Sequence, residues 1–329
     1  MEKLSRKTFL KLSSAAGSAF AFPQPSRSEE NRAILSRIKM ATIGAADVNT
    51  VEEWYTTWLK YTVVERGKVH KALARSWGAP KTAGRKFITM QSDAKDDVYI
   101  RAIEVDWVPG YKAITTWGWN AIEIIVDDID TLHETMRQSP FRHIGGPSNL
   151  GGNNASIRAA QYIGPAEDVI YLTCETGNRD TSPLPIPRGA VDRPFIMILS
   201  GIDIDAMESF YADNFNMTYD SYRFISKGGL ISKMQGHSPE QEYNLGLIRC
   251  RERGNNIELD EYLPDTKPRP AAPGQLPPGI AMTSFNIDNL DAVEIDFITE
   301  PIFEYSGKRS ATFVGPTGEL TELIEEDRT

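Results

Sequence analysis

The chain has 329 residues, 40% of them hydrophobic and 25% charged, with a formal net charge of −9 and a pI near 5.2. This composition is typical of a soluble globular protein, and the length predicts about two domains. An acidic chain without a basic stripe argues against a nucleic-acid partner. No apolar run approaches the ~18 residues that a membrane span needs.

The N-terminus has the pattern of an export signal. The pair Arg6-Lys7 precedes a short apolar run, residues 12–22, which contains the small-x-small site Ala19-Phe20-Ala21. The stretch resembles a twin-arginine signal in which Lys7 replaces the second arginine. We therefore predict a signal peptide and tether over residues 1–35 and a periplasmic or secreted protein. If the segment is not a signal, the protein is cytoplasmic.

The first structural unit is predicted to have the order β-α-β-β-β. A strand from Ile38 to Ala46 is followed by Asp47, a helix-capping residue. The next residues carry apolar side chains at helical spacing, namely Val51, Trp54, Tyr55, Trp58 and Leu59. Three strands complete the unit, at residues 61–70, 86–92 and 98–105.

The same order of elements recurs three more times along the chain. The second unit opens with a strand at residues 120–126, and the third and fourth open at Phe195 and Ile280. A Pro-rich linker over residues 181–194 separates the second unit from the third. The spacing of Asp203 and Tyr211 in the third unit repeats that of the first-unit aspartate and tyrosine. Internal repetition of this kind decides the fold more firmly than local propensity does.

The chain ends in a tight turn and an alternating strand, Gly315-Pro316-Thr317-Gly318-Glu319-Leu320-Thr321-Glu322-Leu323. Alternation places Glu322 on a face that is otherwise apolar, beside Leu320 and Ile324. A weaker copy of this motif begins at Gly164 and has Tyr171 in the place of the glutamate. A repeated strand with a variable polar residue indicates duplicated modules around a cavity.

Four modules, helix-opening aspartates, aromatic pairs such as Phe210-Tyr211 and closing Gly-Pro turns together resemble the vicinal oxygen chelate superfamily, which includes glyoxalases, extradiol dioxygenases and bleomycin-resistance proteins. The resemblance covers roughly residues 37–326. It implies an α+β fold in which four βαβββ modules form two cup-shaped half-barrels. On this reading the first cup lies within residues 36–180 and the second within residues 195–329, with one potential site in each.

In that superfamily the metal ligands come from the first and fourth strands of paired modules. The resemblance implies that one cup would hold Met40, Arg101, Ala121 and Tyr171, and the other Ile196, Glu258, Met282 and Glu322. Neither set suits iron, zinc or nickel, which require histidine and carboxylate ligands. We therefore predict no cofactor, while a divalent metal held by the glutamates and a loop ligand such as His237 stays open.

Glu258 and Glu322 would face each other in one cup, where like charges raise the pKa of one carboxyl and leave an acid beside a base. They are the predicted catalytic pair. Polar side chains on neighbouring positions of the same faces are the predicted substrate-binding residues: Arg101, Tyr171, Glu123, Asp260, Ser284 and Asn286. The alternatives are that each glutamate only pairs with an arginine or lies at a solvated rim, and that Glu123 neutralises Arg101.

These residues favour a metal-independent lyase or isomerase that acts on a small oxygenated compound, aromatic or keto in character, by general acid–base catalysis. The small molecule is the expected partner, and a homodimer is left open. One alternative is a non-catalytic protein that binds or sequesters a small molecule. Another is a metal-dependent glyoxalase or dioxygenase with non-standard ligands. Cys174 and Cys250 are expected to be buried thiols.

Overall fold

The structure, a computed structural model, describes residues 33–150, 155–217 and 222–326. The predicted signal peptide lies outside these residues. The last part of the predicted tether is instead packed into the molecule, because Ala33 and Leu35 are fully buried. The backbone N–H of Ile34 also donates to the Phe215 carbonyl at 2.8 Å.

All four predicted modules are present. Modules one and two comprise β1 (Ile38–Ala45), α1 (Val48–Trp58), β2 (Thr62–Lys68), α2 (Lys71–Ser76), β3 (Lys86–Gln91), β4 (Tyr99–Glu104), β5 (Gly118–Val126), α3 (Ile129–Met136), β6 (Arg142–Asn149), β7 (Ile157–Ile163) and β8 (Val169–Glu175). Modules three and four comprise β9 (Val191–Gly201), α4 (Ile204–Phe215), β10 (Tyr222–Lys227), α5 (Leu230–Gln235), β11 (Glu242–Arg249), β12 (Asn256–Glu261), β13 (Gly279–Ile287), β14 (Ile302–Tyr305), β15 (Lys308–Val314) and β16 (Leu320–Glu325).

Helix starts follow the predicted aspartates. The side chains of Asp47, Asp128 and Asp203 each accept a hydrogen bond from a backbone N–H in the first turn of the helix that follows. Module four departs from the pattern, because its helix is reduced to a 3-10 turn at Leu290–Ala292. Strand β9 begins at Val191, so the strand includes the end of the segment predicted as a linker.

The strands form two eight-stranded sheets, and each sheet joins two modules. One has the order β14-β15-β16-β13-β1-β4-β3-β2 and joins module four to module one. The other has the order β10-β11-β12-β9-β5-β8-β7-β6 and joins module three to module two. We call their concave sides the terminal cup and the central cup, respectively.

The prediction that consecutive modules share a cup is therefore wrong. Strand β1 pairs with β13 near the other end of the chain, and β5 pairs with β9. In each sheet the first strands of two modules lie side by side in the middle and pair antiparallel, and these strands come from modules one and four or from modules two and three. The four modules have similar strand patterns, so either pairing would bury the same faces.

Apolar residues form three layers that alternate with the two sheets. The largest core contains residues from the helices and from the convex faces of both sheets, for example Tyr55, Ile122, Leu199 and Phe285. A second core lies inside the central cup and a third inside the terminal cup. Each strand therefore turns one face to the shared core and the other to a cup.

Two tyrosine–carboxyl contacts hold consecutive modules together through the shared core. The hydroxyl of Tyr55 on α1 donates to Asp168 at 2.6 Å, and that of Tyr211 on α4 donates to Glu319 at 2.9 Å. Asp168 and Glu319 occupy the same position in the two closing Gly-Pro turns. Modules one and two are thus joined by helix-to-turn packing, while strand pairing joins each to a different partner.

Cys174 and Cys250 are buried thiols, as predicted. In the described part of the chain, no helix combines the length and the apolar character required to cross a membrane.

Candidate functional site

The two cups differ in how their buried charges are compensated. In the terminal cup, β4 contributes Arg101 and β16 contributes Glu322, with relative exposures of 4% and 0%. The Arg101 Nη2 atom lies 3.5 Å from Glu322 Oε2. The same guanidinium also donates to the Thr42 hydroxyl at 3.0 Å and 3.1 Å. The charge of this glutamate is therefore balanced within the cup.

Two aromatic side chains fill the terminal cup around this ion pair. Trp77, which directly follows α2, donates from Nε1 to Glu322 at 2.8 Å, and its ring centroid lies 4.7 Å from the Arg101 guanidinium. The Tyr305 hydroxyl donates to Glu322 at 2.8 Å and accepts from Arg101 at 2.7 Å. Ser284 adds a fourth contact to Glu322 at 2.6 Å. With these donors the carboxylate is saturated, which is the pattern of a structural ion pair.

The central cup contains three buried carboxyl groups instead. Glu258 and Asp260 are alternate residues of β12, and Glu123 lies on β5, with exposures of 5%, 3% and 6%. Their neighbours in sequence belong to the shared core, so alternation turns all three towards the cup. Both strands pair with β9, opposite Ile196 and Ile198. Among the residues that the structure describes, none of the three carboxyls forms an ion pair.

Burial changes the ionisation of these carboxyls. It raises the pKa of Glu123 to about 7, although the hydrogen bond from Thr173 at 2.5 Å acts in the opposite direction. Burial also raises the pKa of Asp260 to about 7. The pKa of Glu258 is raised well above its usual range, first by burial and then by the charges of Asp260 and Glu123. The interaction between the two carboxyls raises the pKa of Glu258 and lowers that of Asp260, so Glu258 is the more readily protonated of the two.

Polar atoms without ordinary partners accompany these carboxyls. The Oδ1 atom of Asp260 is buried and has no hydrogen bond. The hydroxyls of Ser200 and Tyr262 are close together, but neither makes a hydrogen bond of ordinary geometry. Ser200 pairs with Asp260 in the sheet, and Tyr262 follows two residues later on the same face. Buried polar atoms of this kind require an explanation, and a bound ligand is one.

Apolar and aromatic side chains line the rest of the central cup. Tyr171 on β8 is half-buried, and burial together with the charges of Asp260 and Glu258 raises the pKa of its phenol. Helix α5 and the segment around Ile114 cover the cup, held together by a 3.0 Å hydrogen bond from Gln235 to the Ile114 carbonyl. The cup is therefore an apolar site with a few convergent polar groups, as small-molecule sites commonly are.

Sequence reasoning missed the covering segments of both cups. Helices α2 and α5 were not predicted, although Ala72, Leu73 and Ala74 are good helix formers. His237, considered above as a loop ligand, is half-buried next to α5. Its Nδ1 atom lies 2.7 Å from the hydroxyl of Tyr243, a residue of the central cup.

The donor sets do not fit the metal centre that the fold family implies. The ligand positions of the terminal cup are Met40, Arg101, Met282 and Glu322, and those of the central cup are Ala121, Tyr171, Ile196 and Glu258. The first set contains a guanidinium, and the second has two aliphatic side chains where an imidazole would be needed. Within the described ranges, no cluster of three or more histidine, cysteine or acidic residues has an arrangement that could hold a metal ion.

The predicted site residues are divided between the cups. Glu258 and Glu322 lie in different sheets, so they do not form the predicted pair. Arg101 does not meet Tyr171 or Glu123, because its partners are the residues of the terminal cup. The predicted residues that come together are Glu258, Asp260, Glu123 and Tyr171 in the central cup, and Arg101, Glu322 and Ser284 in the terminal cup.

Asn286 was also expected to bind substrate. It lies away from the carboxyls of the central cup, on β13 of the other sheet. Its side chain accepts from Arg37 at 3.4 Å and donates to the Ile324 carbonyl at 3.4 Å. These contacts are structural ones at the base of the terminal cup.

The folded chain is similar to solved structures over most of its length. Glyoxalase I from Zea mays matches with a TM-score of 0.58 and 14% sequence identity, over 88% of this chain and 92% of that one. A protein from Bacillus subtilis that carries the name dioxygenase matches with a TM-score of 0.56 and 11% identity, over 92% of this chain and 87% of that one. The chain has the vicinal oxygen chelate fold.

At this level of identity the structural match concerns the fold alone. No protein-family model matches the chain, and no curated protein matches it. Function depends on the residues of the site and not on the fold.

Proposed function

We propose that the central cup is the active site of a lyase or isomerase that acts on a small oxygenated compound by general acid–base catalysis, without a metal. The observation that carries this proposal is the buried, hydrogen-bonded pair Glu258–Asp260, which has no ion-pair partner in the described chain and one unpartnered oxygen. Carboxyls whose environments separate their pKa values are the usual acid and base of such reactions.

The two carboxyls would have different roles. Asp260 has the lower pKa of the pair, and its unpartnered Oδ1 atom would accept a proton from a carbon next to the substrate carbonyl. Glu258, the protonated member, would donate a proton to the oxygen that becomes negatively charged. In an isomerisation, Asp260 would return its proton to a different carbon while Glu258 took its own proton back from the enol oxygen. In an elimination, Glu258 would take its proton back from the enol oxygen and give it to the leaving group, and Asp260 would then lose its proton to solvent.

Tyr171 and Glu123 would complete this site. They are partners in the β5–β8 register and face the cup from the side opposite to β12. The raised pKa of the phenol keeps Tyr171 a hydrogen-bond donor at neutral pH, suited to the substrate oxygen. Glu123 is oriented by Thr173 and adds a negative charge that keeps Glu258 protonated.

The second candidate function is a protein that binds a small molecule without turning it over. The observation that favours it is the mainly apolar lining of the central cup, which includes Leu245, Leu247 and Tyr243. Burial of an apolar ligand against such a surface stabilises a complex even when no proton is transferred.

A proton-exchange experiment separates the two. Small keto compounds are incubated with the protein in deuterated water, and loss of the proton signal next to the carbonyl is followed by NMR. We expect catalysed exchange for compounds that fit, reduced by about 10²-fold or more in Asp260→Asn and Glu258→Gln, the scale of a lost general base or acid. The matched control is Glu134→Gln, an exposed acid on α3. Saturable binding without exchange would support the second candidate.

A further inference from the structure

The central cup contains three buried carboxyl groups that form no ion pair with any residue of the described chain. Its three carboxyl groups face Tyr171 on β8, Tyr262 on β12 and Tyr243 on β11, and these side chains carry no positive charge. Two cations lie near the lining of the cup: Arg269, which lowers the pKa of Tyr262, and Lys233 on α5, which donates to the Ile144 carbonyl at 2.7 Å.

The hydrogen bonds of Arg269 go to groups other than the three carboxyls. Its guanidinium donates to Thr116 at 3.2 Å, to Asn120 at 3.0 Å and to the Ile280 carbonyl at 2.5 Å, and it lies over the ring of Tyr111. These contacts use its donors and fix its position. It is therefore not available to pair with Asp260 or Glu258.

The terminal cup shows what a balanced version of this geometry looks like. In the terminal cup the fourth strands of the two modules carry Arg101 and Glu322. In the central cup the fourth strands carry Tyr171 and Glu258 at the same positions. The guanidinium of the terminal cup thus has no counterpart in the central cup, and the carboxyls face a phenol instead. The missing positive charge is the chemistry that a ligand can supply.

Two further observations indicate where that charge would bind. Asp260 Oδ1 is buried and unpartnered, and the Ser200 and Tyr262 hydroxyls beside it lack ordinary hydrogen bonds. A protonated amine has three donors and a guanidinium has five, which suits several acceptors within one small region. The faces of the surrounding tyrosines also favour a cation through their electron-rich rings.

We propose that the ligand of the central cup carries an organic cation, a protonated amine or a guanidinium, on an apolar body. The cation lies between Asp260, Glu258 and Glu123, and the apolar body packs against the lining formed by residues such as Leu245 and Leu247. This inference rests on the central cup being the site proposed above, and it names the substrate class for that site.

The binding of such a ligand must release protons. Glu123 and Asp260 have pKa values raised to about 7, so part of the carboxyl population is protonated at neutral pH. A cation favours the ionised carboxylates, and its affinity rises as the pH increases from 6 to 8. A neutral ligand of the same shape has no such dependence on the carboxylate charge.

The test is titration calorimetry with three matched probes: phenethylamine, 2-phenylethanol and 3-phenylpropionate. We expect the amine to bind about tenfold or more tightly than the alcohol, the scale of a charge-assisted hydrogen bond, and the carboxylate to bind weakest. Comparison of two buffers with different heats of ionisation should show proton release for the amine. Asp260→Asn and Glu123→Gln should each remove about tenfold or more of the amine's affinity, and the control Glu134→Gln should not.

The possible failures are distinguishable. If the alcohol or the carboxylate binds as tightly as the amine and Asp260→Asn still weakens it, the site stands and the cationic class is wrong. If no probe depends on Asp260, Glu258 or Glu123, the central cup is not the site, and both proposals fall. Displacement of the amine by Mg²⁺, Ca²⁺ or Zn²⁺ at comparable concentration would overturn the organic cation in favour of an inorganic one. Thermal unfolding of each variant shows whether it is folded.

Discussion

The terminal and central cups have the same strand order, yet they treat buried charge in opposite ways. In the terminal cup a carboxylate and a guanidinium neutralise each other, and two aromatic rings pack around the pair. In the central cup three carboxyls face one another across an apolar lining. Duplicated architecture has thus produced one cup in which the buried charges are paired and one in which the buried carboxyls have no ion-pair partner within the described chain.

The helices that cover the two cups are followed by different residues. Helix α2 is followed by Trp77, whose indole enters the terminal cup, while α5 is followed by Gly236, which has no side chain to insert. Loss of one partner from a buried, fully hydrogen-bonded ion pair is strongly destabilising, which gives the residues of the terminal cup a structural role. Unpaired buried carboxyls cost stability, and protein sites that tolerate this cost are commonly functional ones.

The largest expected effect tests whether the terminal cup is structural. Arg101→Met leaves Glu322 buried without its counter-charge and should lower the free energy of unfolding by about 3–5 kcal/mol. Addition of Glu322→Gln to this variant should recover part of the loss, since no lone charge remains. Chemical denaturation of the two single variants and the double variant measures the coupling. A loss below about 1 kcal/mol in Arg101→Met would contradict the structural role.

The second prediction concerns the pH dependence of stability in the central cup. The folded-state pKa of Glu123 is raised to about 7 from 4.5, so its protonated form favours the folded protein. This contribution is present below pH 4.5 and is lost as the pH rises through 7. Glu123→Gln should therefore be more stable than the native protein by about 3 kcal/mol at pH 8 and nearly equal to it at pH 4.5.

Thermal unfolding at several pH values checks this difference. Asp168, whose pKa burial raises to about 6, contributes a slope of the same sign that Glu123→Gln leaves in place. The informative quantity is therefore the difference between the two proteins and not the slope of either. Parallel stability curves at all pH values would show that Glu123 is ionised at no cost.

The third prediction concerns the contacts that join consecutive modules. Tyr55→Phe and Tyr211→Phe each remove the donor to a buried carboxyl and should lower the free energy of unfolding by about 1–3 kcal/mol. Tyr262→Phe is the matched control, because its buried hydroxyl makes no ordinary hydrogen bond, and it should cost little or nothing. Equal losses in all three variants would mean that the hydrogen bonds are not the cause.

The smallest expected effect is on activity. Glu322→Gln changes a carboxylate of the terminal cup, so the rate of proton exchange per folded molecule should stay within about twofold of the native rate, against the loss of about 10²-fold for an acid or base of the central cup. The NMR exchange assay described above measures it at a temperature where the variant is fully folded. A loss comparable to that of Asp260→Asn would place chemistry in the terminal cup as well.

The sequence predicted the local structure well, because the local signals are strong. Capping by Asp47, Asp128 and Asp203, and the inward face of Glu322, follow from short-range rules, and the structure confirms them. Which modules share a sheet does not follow from such rules. The four modules have similar patterns, so pairing depends on contacts between residues far apart in the chain.

The error in pairing decided the error in the site. Glu258 was matched with Glu322, whereas its neighbours are Asp260 on its own strand and Glu123 on a strand of module two. Trp77 had no distinguishing signal in the sequence beyond its position after a short run of helix formers. The charge balance of a cup could therefore be evaluated only after the two sheets were known.

The pairing of β1 with β13 has a consequence for the order in which the chain can fold. The edge of β1 that faces module four stays unpaired until residues 279–287 have left the ribosome, while the central sheet needs only the strands up to β12. Because domains fold as their strands emerge, we expect the central sheet to form first during synthesis. A released chain that ends at residue 278 should therefore resist a protease within residues 118–261 and be cleaved within residues 38–104. Equal protection of both segments would show that module one is stable without its distant partner.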